Sequence, residues 1–195
     1  MMAMGMAATM SACTDAPKTI DQQVDELFAK MTQEECLAQL HGTYLEEFFD
    51  ENNKLIPEKC KELIPNGAGH FSQFCMNTDK TPDEMRDMVI QMQAWLKENT
   101  PNGIPALFHE EVLSGVNTAY ATIYPQQIGM AGSFNTALAE QKTYETAAGL
   151  RKMGGFMALS PMVDVVRDPS FNRLEESYGE DGYLCPRCKK VVLGE

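Results

Sequence analysis

Twice in this 195-residue chain a helix pattern with one apolar face gives way to a short, unbroken apolar run that ends in charge. The first helix opens at Thr81-Pro82-Asp83-Glu84. There the threonine and the glutamate three residues on form a capping box, and proline takes the first helical position, where its missing N–H is no loss. Met85, Met88, Val89, Met92, Trp95 and Leu96 follow at spacings of three and four, which predicts a buried stripe, and Asn99-Thr100-Pro101-Asn102-Gly103 stops the helix. Ile104–Phe108 then reads as a strand and His109-Glu110-Glu111 as its charged end, where a functional loop begins. The second cycle runs as a helix from about Thr136 to Met153, a break at Gly154-Gly155, and a strand from Phe156 to Leu159 leading into Ser160–Asp164. Continuous apolar strands alternating with amphipathic helices predict an α/β fold, a parallel sheet covered by helices, with both strands buried. In such folds the polar residues that end the strands line the site.

Upstream, Ile20, Val24, Leu27, Phe28 and Met31 at helical spacing predict a helix over residues 19–31 with one face to pack. Thr32-Gln33-Glu34-Glu35 is a second capping box, opening a helix that carries Leu37 and Leu40, with Cys36 expected buried on an apolar face. Residues 1–18 stand apart from this pattern. Met4–Ala12 is small and apolar and ends at Cys13, similar to the cleavage box of a bacterial lipoprotein signal, without the positive segment that precedes such signals. Two readings stand: an export signal leading to the periplasm or the exterior, with a lipid anchor at Cys13, or a disordered tail on a cytoplasmic chain. The six cysteines do not suggest a disulfide framework in a chain this long and helix-rich.

A formal charge of −12 repels phosphate, so nucleic acid and anionic membrane surfaces are not expected partners, whereas a neutral sugar would not be repelled. No apolar run is long enough to span a bilayer.

The densest polar segment, Asp164–Asp181, follows directly on a strand, where a barrel presents ligand contacts. Its arginines could form a structural ion-pair network or donate to sugar hydroxyls, and the residues alone leave both open. Within it, Arg167-Asp168-Pro169, Arg173, Glu175–Asp181 and Tyr183-Leu184 resemble the signature of family 3 glycoside hydrolases, the β-glucosidase and β-xylosidase group. Ile104–Gly115 resembles that family's second-strand motif, Tyr124–Phe134 the segment after it, and Met31–Glu35 with Gln39-Leu40 the helix that opens the catalytic domain. The four motifs occur in the family's order over roughly residues 19–184.

The resemblance implies a TIM-barrel-like (β/α)8 domain of a retaining β-glycosidase acting on β-linked glucose or xylose. A complete barrel usually needs about 250 residues, so this domain would be partial, ending after roughly half of its units. It places Glu111 where the family binds sugar hydroxyls in the cleavage subsite, and Arg167 where an arginine lines the same subsite; Arg173 and Glu175 are expected to shape the loop. A retaining enzyme needs two carboxyl groups about 5–5.5 Å apart. The resemblance implies that both lie later in the sequence, so no catalytic residue is expected here. Glu110 and Glu111, being neighbours on a strand, point to opposite sides and cannot form the pair.

Ser114 stands where many members have His, and Ser170-Phe171-Asn172 replaces Arg-Trp-Gly. Residues 185–195, beginning Cys185-Pro186-Arg187-Cys188, are expected as an atypical tail. One Cys-x-x-Cys is half of a zinc ribbon, so no metal is expected, and no cofactor. Half a barrel would also leave an unpaired strand edge and open apolar surface, a route to self-association. The alternative is a non-catalytic carbohydrate-binding or assembly module on the same fold.

Overall fold

The structure, a computed structural model, describes residues 17–76 and 78–193, with side chains through residue 188. The expected export signal and its Cys13 lie outside the described residues. Two compact units make up the chain, residues 1–31 and 32–195.

In the first unit, helix α1 (Ile20–Phe28) starts at Thr19, whose hydroxyl accepts from the Gln22 N–H while the Gln22 side chain accepts from Thr19 N. Its apolar stripe was expected to pack, yet no residue of α1 is buried and Ile20 is 77% exposed. No other helix or strand belongs to this unit among the described residues.

The second unit opens with α2 (Gln33–Gln39), capped by Thr32 as its sequence predicts. The buried residue of α2 is Glu35 rather than Cys36, which is only half-buried. Glu35 uses one carboxylate oxygen on Thr32 N and the other on Asn102 Nδ2 at 2.7 Å, so its burial is paired. After it come β1 (Gly42–Tyr44), α3 (Pro57–Leu63), β2 (His70–Ser72), α4 (Pro82–Asn99), β3 (Leu107–Glu111), α5 (Gln127–Gly132), α6 (Thr136–Lys152), β4 (Met157–Leu159) and α7 (Leu184–Leu193). All four strands are parallel, in the order β1-β2-β3-β4, with His70 opposite both Gly42 and Leu107, and His109 opposite Met157. Strands paired in chain order, with helices between them, are half of a (β/α)8 arrangement.

One sheet face holds the core. Phe71 and Phe108, paired across β2 and β3, stack with ring centres 4.9 Å apart, and Phe48 and Phe74 meet them edge-on. All six residues of the α4 stripe are buried there, as expected. Each such side chain contributes roughly 1.5–3 kcal/mol of transfer free energy.

The alternate residues of the strands, Gly42 and Tyr44, His70 and Ser72, Leu107, His109 and Glu111, occupy the other face, which would become a barrel interior. Gly42 is required there: a Cβ on it would stand 2.0 Å from His70 Cε1. Much of this face is open, with Tyr44 and Leu107 each more than half exposed. The strand at Phe156–Leu159, expected to be buried, corrects to an exposed edge. Met157, Ala158 and Leu159 are all exposed because β3 is the one strand that pairs with β4 among the described residues.

Candidate active site

The carboxyl end of β3 carries Glu111, and the segment that follows β4 carries Arg167, Arg173 and Glu175. Glu111 is the last residue of β3, opposite Leu159 at the end of β4, and the chain then turns through the cis Ser160–Pro161 peptide into the polar segment. Strand alternation sends Glu110 and Glu111 to opposite faces. Glu110 is wholly buried: one carboxylate oxygen accepts from Cys75 N at 2.9 Å and from Cys75 Sγ at 3.2 Å, and the other from Glu111 N at 2.9 Å. Burial, and then the adjacent Glu110 charge, pushes the Cys75 thiol far up, so this cysteine stays protonated. Glu111 is only partly buried and keeps its carboxylate available at the strand end.

The polar segment places its residues unequally. Arg173 donates from Nε to Glu176 at 2.9 Å and from a second guanidinium nitrogen to the same oxygen. Its pKa is raised, first by the Glu176 hydrogen bond and charge and then by the charges of Glu111 and Asp164, so Arg173 lies within electrostatic reach of Glu111. Arg167 is exposed and lines a recess of about 310 Å³ with Asp164, Asp168 and Phe171. It makes no hydrogen bond or ion pair among the described residues, which leaves its five donors available. Glu175 is exposed, and the carboxylate that holds Arg173 is Glu176.

Two polar clusters near the site have no local sequence signature. His70 Nδ1 and His109 Nε2 lie 2.8 Å apart on the inner face, one donating to the other. Burial, then the neighbouring His70, lowers the pKa of His109, favouring the neutral ring such a bond needs. Lys142 of α6 is only 6% exposed and donates to Leu113 O at 2.6 Å and to Gln127 Oε1 at 3.1 Å, so it clamps the loop that leaves β3. Burial brings its pKa down to about 8. A register contact 39 residues apart and a lysine on the buried face of an amphipathic helix are both products of tertiary packing.

Cys185 and Cys188, on the first turns of α7, are buried together with Tyr178 and Ala131. Among the described residues no three His, Cys, Asp or Glu side chains gather as a metal site.

Residues 19–193 match the family described as glycosyl hydrolase family 3 N terminal domain. The chain is 34% identical to a putative beta-xylosidase of Formosa agariphila over 179 residues, covering 87% of this chain and 23% of that protein. It is 32% identical to a periplasmic beta-glucosidase of Salmonella typhimurium, covering 86% of this chain and 20% of that one. The solved β-glucosidase of Erythrobacter marinus superimposes with a TM-score of 0.77 at 27% identity, over 88% of this chain and 22% of that structure. The chain therefore spans less than a quarter of the length of these relatives. Matched over most of its length, with a parallel α/β half-barrel that ends its third strand in Glu111, the chain belongs to glycosyl hydrolase family 3, within the N-terminal domain.

Proposed function

We propose that these residues are the sugar-binding part of a retaining β-glycosidase that removes terminal β-linked glucose or xylose, and that they do not hydrolyse substrate by themselves. The observation that carries this reading is the division of labour at the end of β3. Glu110 is buried and occupied by three donors, which leaves Glu111 as the one carboxylate of the pair presented at the strand end. A carboxylate accepting from two vicinal hydroxyls fixes a sugar's orientation and rejects analogues that lack them. Arg167 supplies a fork of donors from the segment that follows β4, and Arg173 shapes that segment through Glu176, with the exposed Glu175 beside it. Retaining chemistry needs a nucleophile and an acid/base about 5–5.5 Å apart, and the Glu110–Glu111 pair does not provide them.

Purified chain incubated with chromogenic β-glucoside and β-xyloside tests the reading. No turnover above background supports it. Turnover that disappears in Glu111→Ala would place a catalytic carboxylate within these residues and overturn it.

The name of the Salmonella typhimurium relative supports a periplasmic or extracellular setting. The exposed β4 edge, with Met157 and Leu159 open beside it, supports self-association of the 195-residue chain.

A further inference from the structure

Helix α6 carries a glycine that its packing does not require. Gly149 lies in the helix interior, where glycine is less stable than alanine because its unfolded backbone is freer. Elsewhere such a glycine makes room for a neighbour, yet a Cβ on Gly149 would meet nothing nearer than Val116 Cγ2, at 4.0 Å, an ordinary contact. The open space above it is a cavity of about 390 Å³ between α6 and the loop that leaves β3. That volume falls in the range of small-molecule sites, about 300–1,000 Å³.

The lining has a consistent chemistry. Tyr144, Glu145, Ala148, Gly149 and Lys152 supply one face of α6, with two small residues as the floor, and Tyr120 comes from the loop. Tyr144 is 75% exposed and Tyr120 56%, so two large aromatic side chains are held at the surface. The Glu145 carboxylate is fixed by the Tyr124 hydroxyl on one oxygen and Gln141 Nε2 on the other, and each oxygen keeps further acceptor capacity. Thr146, which also lines the cavity, is 7% exposed, and its hydroxyl has no partner among the described residues. Glu145 disfavours an anion and Lys152 a cation. Tyrosine rings with an apolar face and a polar tip suit a neutral ligand that has both apolar faces and hydroxyls.

We propose that this cavity is a second carbohydrate site, distinct from the end of β3, that seats one pyranose ring of a neutral oligosaccharide above Gly149, against Tyr120 and Tyr144. It stands on the cavity's own chemistry and does not depend on Glu111 binding sugar.

The test is calorimetric titration of the Glu111→Ala chain with xylobiose and cellobiose, alone and with Tyr144→Ala or Gly149→Leu added. Binding of at least one disaccharide in the Glu111→Ala background, weakened tenfold or more by each added change, is the expected result. Tyr144→Ala, at an exposed position, keeps the test readable if Gly149→Leu does not fold. Absence of binding in the Glu111→Ala background, or binding that survives Tyr144→Ala, overturns the proposal. Gly149→Ala is expected to raise Tm, whereas a lowered Tm would mean that packing demands the glycine and would remove the argument's basis. Loss or survival of sugar binding at the end of β3 is read separately, from Glu111 itself.

Discussion

Glu110 accepts the backbone N–H of Glu111 at 2.9 Å, so the first of two adjacent carboxylates is spent on holding the strand end that presents the second. Replacing Glu110 by Leu orphans the Glu111 and Cys75 amides in a buried place. Each orphaned group costs roughly 1–3 kcal/mol, so urea denaturation should show a loss of several kcal/mol. Glu110→Gln keeps an acceptor oxygen and should lose less. Amide exchange at Glu111 should accelerate in the Leu variant and stay slow in the Gln variant.

Gly42 and His70 make a steric pair. With a Cβ at residue 42 only 2.0 Å from the imidazole, Gly42→Ala must displace His70 and strain its bond to His109. A destabilisation of about 1–3 kcal/mol is expected from overpacking. Most of that penalty should vanish when the same change is made in a His70→Ala background, because the clashing ring is gone. Equal penalties in both backgrounds would show that the contact is not the cause.

Lys142 gives the pH dependence a definite sign. Its pKa is about 8 in the folded chain against an ordinary 10.5, so between those values the unfolded chain binds the extra proton. Stability from this group therefore rises with pH from about 8 to 10.5, and falls back as pH drops through 8. Buried Cys60, raised by burial from 9.0 to about 11, works the other way in an overlapping window. The readout is accordingly the difference between wild type and Lys142→Met, which should grow in favour of the wild type across that interval.

At the β4 edge, Met157 and Leu159 stand exposed beside backbone that no strand pairs among the described residues. Sedimentation velocity should show association that increases with chain concentration, and Met157→Lys should shift the chain toward monomer. A chain that stays monomeric across the range, in wild type and variant alike, removes self-association from the account.

What the sequence made legible was whatever repeats over several turns or names itself in a cap. The α4 stripe from Met85 to Leu96, the Thr32 and Thr81 capping boxes and the span of α6 were readable on these grounds. The strand read at residues 104–108 lies three residues later, at Leu107–Glu111, because the charged His109-Glu110-Glu111 reads locally as a loop. Strands β1 and β2 were not, because three residues each, Gly42–Tyr44 and His70–Ser72, are too few to show a period. Phe156–Leu159 reads as buried by composition, yet burial depends on a neighbouring strand that no local pattern reports. The proposed roles of Glu111 and Arg167 come from motif resemblance alone, since no spacing or periodicity singles them out. The Glu110–Cys75 bonds, the His70–His109 contact and the Lys142 clamp join residues that only the fold brings together.

The central claim is the proposal that Glu111 at the end of β3 binds sugar hydroxyls, together with Arg167 from the segment that follows β4. The most direct measurement is a titration of isotope-labelled chain with methyl β-glucoside and methyl β-xyloside, following the Glu111 amide and the Arg167 side-chain signals by NMR. Saturable shifts at both, with the Arg167 response abolished by Glu111→Ala, are the predicted result. Signals at Glu111 and Arg167 that do not move at saturating sugar, or an Arg167 response that Glu111→Ala leaves intact, would contradict it.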